Sequence, residues 1–139
     1  MYVDTTIFMY AMGSESRFKE PCARILRAGA ADRAVLVTSA ETLQEVLHRY
    51  RSIGRNGEIK PVFEAISAAV QRILPVTADD IEEARQLGER MPGGRGVSAR
   101  DLVHAAVARR QGLREVLTLD AGFASIPGVL VVDPLDWTE

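Results

Sequence analysis

Five short apolar runs punctuate the chain, at 1–3, 34–38, 72–76, 115–119 and 128–132. Each is too short for a stable helix and mostly lacks the polar alternation of a strand with one wet face. That is the pattern of strands buried on both sides. Between the first four lie longer stretches with apolar residues at helical spacing: PCARILRAGA, ETLQEVLHRY, PVFEAISAAVQRI, IEEARQLGERM and DLVHAAVARRQG. In ETLQEVLHRY the residues Leu43, Val46, Leu47 and Tyr50 fall on one predicted stripe. Thr77-Ala-Asp-Asp80 and Ser98-Ala-Arg-Asp101 read as capping boxes that open the last two helices. Strands alternating with helices predict a central, mainly parallel sheet with a helical layer on each face. Right-handed crossovers restrict the topology to a small set, although the strand order is not in these patterns. No linker or repeat interrupts residues 1–139, so a single α/β domain is expected.

The gross numbers exclude several classes. A chain of 139 residues with 47% apolar content can bury its own core and is not disordered. No apolar run approaches the ~18 residues that span a bilayer, and the N-terminus lacks the pattern of a secretory signal. The single cysteine, Cys22, reads as packing and agrees with a reducing cytoplasm, the expected location. Net charge is −2, from 17 Lys+Arg against 19 Asp+Glu, which is not the footprint of a duplex-binding protein. Any nucleic-acid contact falls to a local patch such as HRYRSIGR, where Arg49, Arg51 and Arg55 surround Tyr50; a solvated helix end explains the same residues.

In a parallel sheet the C-terminal ends of the strands share one edge with the first turns of the helices that follow, and ligands bind there. Asp4 ends the first run. Glu41 and Glu45 lie in the first two turns after the second, Asp101 is in the first turn of the 98–111 helix, and Asp120 directly follows EVLTL. Singly, each has an ordinary role: Asp4 as a helix cap, Glu41 as the capping-box partner of Thr38, Glu45 on a solvent face, Asp101 as the acid of the Ser98 box, Asp120 as a turn residue. Jointly they bring carboxylates from four segments to one rim. Crowded carboxylates repel unless a cation joins them, and an all-oxygen set suits Mg²⁺ or Mn²⁺ better than zinc. His104, on an apolar helix, reads as a packed residue, either in the core or just behind the site acids, and His48 as a surface one. GGRGVSAR lacks the Gly-Lys-Ser/Thr ending of a P-loop; with Arg95 or Arg100 its amides offer a place for a substrate phosphate at a helix N-terminus.

Four stretches, YVDTTIF at 2–8, VTSAETLQEVL at 37–47, SARDLVHAAVA at 98–108 and LTLDAGFASIPGVLVV at 117–132, together resemble PIN-domain ribonucleases, most closely the VapC toxins of bacterial and archaeal toxin–antitoxin pairs. The resemblance runs nearly the whole length. It implies an α/β/α sandwich, Mg²⁺- or Mn²⁺-dependent endonucleolytic cleavage of RNA, a homodimer, and inhibition by a small antitoxin protein. It also implies a metal site formed by Asp4, Glu45, Asp101 and Asp120, with a supporting hydroxyl at Thr5. The family's second acid stands six residues after the Ser or Thr that ends the strand, and that spacing from Ser39 selects Glu45 over Glu41. Two other readings compete: a PIN nuclease of ordinary RNA maturation, and a non-catalytic α/β module whose acid rim meets a basic partner.

Overall fold

A computed structural model describes residues 1–91 and 96–139. The five strands are β1 (Tyr2–Val3), β2 (Val37–Ser39), β3 (Arg72–Leu74), β4 (Glu115–Leu117) and β5 (Leu130–Val132). They form one sheet in the order β3-β2-β1-β4-β5, and every pair is parallel. Among the described residues six α-helices accompany them: α1 (Thr5–Met12), α2 (Lys19–Ala30), α3 (Ala40–Ser52), α4 (Ile59–Ala69), α5 (Ala78–Glu89) and α6 (Ala99–Arg110).

The pleat of the strands divides the core in two. Val3, Leu36 and Leu117 point to one side and pack with Ile7 and Phe8 of α1, Cys22 and Ile25 of α2, Val46 of α3 and Ile66 of α4. Their chain neighbours Tyr2, Val37 and Val116 point to the other side, against Ala84 and Leu87 of α5 and the run Ala105–Ala108 of α6. Side chains alternate faces along a strand, so each short run feeds both cores. The result is the three-layer sandwich, and it explains why the runs read as continuously apolar. On the second side Arg109 to Glu83 (3.1 Å) and Arg110 to Asp80 (3.0 Å) tie α6 to α5.

All five strands fall within or overlap the apolar runs, with shifts at their ends. The 34–38 run becomes strand only from Val37, and Val35 is 69% exposed. β2 stops at Ser39 because Ser39 turns into the N-cap of α3, its hydroxyl accepting from the Glu41 amide at 3.3 Å. The expected box from Thr38 to Glu41 therefore does not form. Thr38 instead points inward, donating to the Val3 carbonyl (2.8 Å) and meeting the Thr42 hydroxyl (2.8 Å). On α3 the expected stripe is rotated: Thr42 and Val46 are buried, whereas Leu47 is 42% exposed. Helix α1 is the element the spacing does not predict.

The two expected capping boxes are present at Thr77/Asp80 and Ser98/Asp101. In the second, the Ser98 amide donates to Asp101 Oδ2 (2.7 Å) and the Asp101 amide donates to Ser98 Oγ (3.2 Å). Ser98→Ala removes one half of this exchange and is expected to cost about 1 kcal/mol of stability. Urea unfolding checks it, and an unchanged midpoint would show that the cap contributes nothing to α6.

Candidate active site

The strand order reverses direction between β1 and β4, the place where open α/β sheets form a crevice at their C-terminal edge. Asp4 leaves β1 there and Asp120 follows β4. Helices α3 and α6 bring Glu45 and Asp101 to the same edge. A cleft of about 510 Å³ opens at this point, and Asp4, Glu45, Asp101 and Asp120 all line it, with Thr6, Ser98 and Arg100. The four acids nominated from sequence thus share one cavity, and Glu41 is not among its lining residues.

Each acid is held in its own way. Asp4 is buried and caps α1; its Oδ2 accepts from the hydroxyls of Thr6 (2.7 Å) and Thr118 (2.8 Å) and from the Thr6 amide (3.4 Å). Asp120 Oδ1 accepts from the Gly122 amide (2.8 Å), a turn that brings Gly122 against the neighbouring loop. A Cβ on Gly122 would stand 2.0 Å from the Gly96 carbonyl oxygen, so only glycine permits this approach. Asp101 is fixed by its capping box. Glu45 Oε1 lies 2.7 Å from His104 Nε2, and the Glu45 side chain keeps 18% exposure toward the cleft.

The hydroxyl on Asp4 comes from Thr6 and Thr118. Thr5, the expected supporting residue, turns the other way, donating to Thr42 Oγ1 (3.2 Å) with its oxygen 3.3 Å from His104 Nε2. Ser39 meets the Tyr2 hydroxyl at 2.7 Å, and that hydroxyl lies 2.6 Å from His104 Nδ1. Sequence reasoning read His104 as a packed residue, in the core or just behind the site, and gave no role to Tyr2, Thr6 or Thr118. The one available signal was the second threonine of Asp4-Thr5-Thr6.

The electrostatics record the convergence. Burial is the main cause that raises the Asp101 carboxyl above its ordinary range; the Ser98 hydrogen bonds pull against it, and the charges of Asp120 and Asp4 push it further up. Glu41 is also raised, chiefly by burial. For His104, burial works against the charged ring, but the Glu45 hydrogen bond and the charges of Asp4, Glu45 and Glu41 outweigh it, so its pKa is raised. Burial holds the Tyr2 hydroxyl far above the usual phenol range, so it stays protonated.

Among the described residues no three Asp, Glu, His or Cys side chains are gathered tightly enough to ligate one ion as they stand. The acids line a shared cleft, not a closed coordination shell. Their chemistry nevertheless suits a hard divalent cation: the donors are all carboxylate oxygens, and they already feel one another's charge.

A larger cleft of about 720 Å³ adjoins the first and shares Thr6, Glu45 and Arg100 with it. Arg49, Tyr50 and Arg55 of the HRYRSIGR patch line this second cleft, as does the exposed His48. Arg51 is not part of its wall, and Arg95 lies outside the described residues.

The PIN domain family model matches residues 1–129, a span that contains all four acids of the cleft. The chain is 38% identical over 127 residues to Ribonuclease VapC13 of Mycobacterium tuberculosis, an alignment covering 91% of this chain and 95% of that protein. It is also 38% identical over 125 residues to Ribonuclease VapC23 of the same species, covering 90% and 96%. Among solved structures, Mycobacterium tuberculosis VapC20, described as a sarcin-ricin loop cleaving toxin, matches with TM-score 0.70 at 23% identity over 92% of this chain and 97% of that one. FitAcB from Neisseria gonorrhoeae matches with TM-score 0.68 at 21% identity over 98% and 99%. The chain belongs to the PIN-domain family and, within it, to the VapC ribonucleases.

Proposed function

We propose that this protein is a divalent-metal-dependent endoribonuclease that hydrolyses RNA phosphodiester bonds, and that it is the toxin of a type II toxin–antitoxin pair. The observation that carries the reading is the single cleft lined by Asp4, Glu45, Asp101 and Asp120 at the sheet reversal. The relatives named as VapC ribonucleases support the activity. Structural neighbours, among them a toxin–antitoxin complex from Klebsiella pneumoniae, support a small antitoxin as partner. The reading takes 1–139 as one PIN domain, active as a homodimer in the cytoplasm. No described helix is long and apolar enough to cross a membrane.

Asp4, Asp101 and Asp120 would hold Mg²⁺ or Mn²⁺, and Glu45 would complete the set or orient the attacking water. When bound, such an ion polarises a phosphoryl oxygen, lowers the pKa of water and steadies the leaving oxygen. Thr6 and Thr118 pin Asp4 Oδ2, which leaves Oδ1 as the oxygen not engaged by these hydroxyls. Arg100 lines both clefts, and on this reading it would meet a substrate phosphate. In the reaction water adds to phosphorus and the bond to the leaving ribose oxygen breaks.

The test is cleavage of end-labelled RNA by the purified protein with Mg²⁺, with Mn²⁺ and with a chelator. Internal cuts that require the metal are expected. RNA left intact at millimolar metal by a folded, antitoxin-free preparation would overturn the nuclease reading. The neighbouring open frame checks the toxin assignment separately: a short upstream frame encoding a DNA-binding fold with a tail is expected, and a lone gene would point to RNA maturation.

A further inference from the structure

Behind the acid cleft, four side chains from four elements form one hydrogen-bonded chain. Ser39 Oγ at the end of β2 is 2.7 Å from the Tyr2 hydroxyl of β1. That hydroxyl is 2.6 Å from His104 Nδ1 on α6, and His104 Nε2 is 2.7 Å from Glu45 Oε1 on the second turn of α3. Tyr2, Ser39 and His104 are all 0% exposed. Burying three polar side chains is costly unless every group is paired, and apolar residues would fill the same space with less at stake. Here every buried side-chain polar atom among the described residues has a partner. Glu45 is the member of the chain that lines the cleft.

We propose that His104 is a positioning residue that fixes the Glu45 carboxylate for the metal site, with Tyr2 as the strut that fixes the imidazole. The proposal rests on the nuclease reading above. Glu45 reaches the cleft through a flexible side chain on a helix whose neighbouring positions, Gln44 and His48, face solvent. A free carboxylate there would sample several rotamers and lose that freedom each time it bound an ion. His104 Nε2 faces the carboxylates of Glu45 and, at 3.7 Å, Asp4. An ionised carboxylate only accepts hydrogen bonds, so Nε2 carries a proton and donates to Glu45 Oε1, while Asp4 Oδ1 lies beyond hydrogen-bond reach. It thereby sets the direction of the Glu45 carboxylate. Nδ1 meets a hydroxyl that both donates and accepts, and Ser39 backs that hydroxyl, so the ring stays bonded at both nitrogens. The Tyr2 and His104 rings also pack edge to face, with centroids 5.7 Å apart. Outer partners that orient metal ligands in this way typically control metal affinity by about 10- to 100-fold.

Three substitutions separate positioning from packing. The Nε2 of a glutamine lies near the place of the histidine Nε2, so His104→Gln retains a donor for Glu45. His104→Asn is too short to reach Glu45, and Tyr2→Phe removes the strut alone. Calorimetric titration with Mn²⁺ is expected to show affinity lowered about 10- to 100-fold in His104→Asn, lowered severalfold in Tyr2→Phe, and largely kept in His104→Gln. In a Glu45→Ala background, His104→Asn is expected to cause no further loss. Equal affinities for the Gln and Asn variants, or an undiminished loss without Glu45, would overturn the proposal. Should His104→Asn fail to fold by circular dichroism, Tyr2→Phe and His104→Gln decide it, and wild-type affinity in Tyr2→Phe would overturn it. A wild-type protein that binds no Mn²⁺ would defeat the metal reading itself and this proposal with it; normal wild-type binding with indifferent variants would defeat only the latter.

Discussion

Asp4→Asn is expected to give a folded protein that no longer cuts RNA. Asp4 is only 3% exposed, and its Oδ2 is shared by the Thr6 and Thr118 hydroxyls and the Thr6 amide. An asparagine carbonyl oxygen can occupy that position and accept the same hydrogen bonds, and Asn caps helices about as well as Asp. What disappears is one negative charge, and with it a strong oxygen donor for the proposed cation, in a cleft where Asp101 already feels the field of Asp4. Removing even one preorganised hydrogen-bond donor costs an enzyme about 10²- to 10³-fold in rate, and loss of this charge is expected to cost at least that, enough to take cleavage below detection. Single-turnover cleavage, paired with a thermal melt, checks both halves. Full activity in a well-folded variant would remove Asp4 from the machinery. A melting point within a few degrees of wild type is expected.

Phe8→Ala should produce the largest loss of stability. Phe8 is fully buried and anchors α1, with Ile7, against the core that also holds Val46 and Ile66. Truncating a buried phenylalanine removes transfer energy and leaves a cavity, together about 3–5 kcal/mol. Against a total stability of ~5–15 kcal/mol, that lowers the melting temperature by roughly 10–20 °C. Phe8→Leu keeps most of the volume and is expected to cost under ~1.5 kcal/mol. Chemical denaturation measures both. A loss below ~1 kcal/mol for the alanine variant would mean that α1 is not held to the sheet by this side chain. Because Asp4 caps α1, the same variant is expected to lose cleavage as the helix loosens.

Helix α1 also shows where sequence patterns stop. Ile7 to Met12 is a continuous apolar run after two threonines, with no polar stripe to reveal a helical period. Only Asp4, as a cap, marked its start. The strands were legible because burial on both faces makes them apolar throughout. Their order was not, because it is set by crossovers that leave no local trace. In α3 the rotated stripe has a definite cause. Thr42 and Glu45 are drawn inward by partners elsewhere in the chain, with His104 lying 59 positions from Glu45. Periodicity counts apolar residues and is blind to a buried polar pair. The exchange of Thr5 for Thr6 at Asp4 has a similar origin. Adjacent residues on a helix point about 100° apart, so one threonine meets Asp4 while the other meets Thr42 and His104. The four acids were legible because each sits at a strand end or in the first two turns of a helix, positions that a parallel sheet gathers on one edge.

The most direct measurement is an anomalous-scattering map from crystals of the antitoxin-free protein soaked in Mn²⁺. A peak is expected inside the cleft at the β1–β4 reversal, bonded to oxygens from at least two of Asp4, Glu45, Asp101 and Asp120 at about 2.0–2.3 Å. If the strongest Mn²⁺ peaks lay elsewhere and the cleft stayed featureless at saturating metal, these carboxylates would not be the seat of the chemistry.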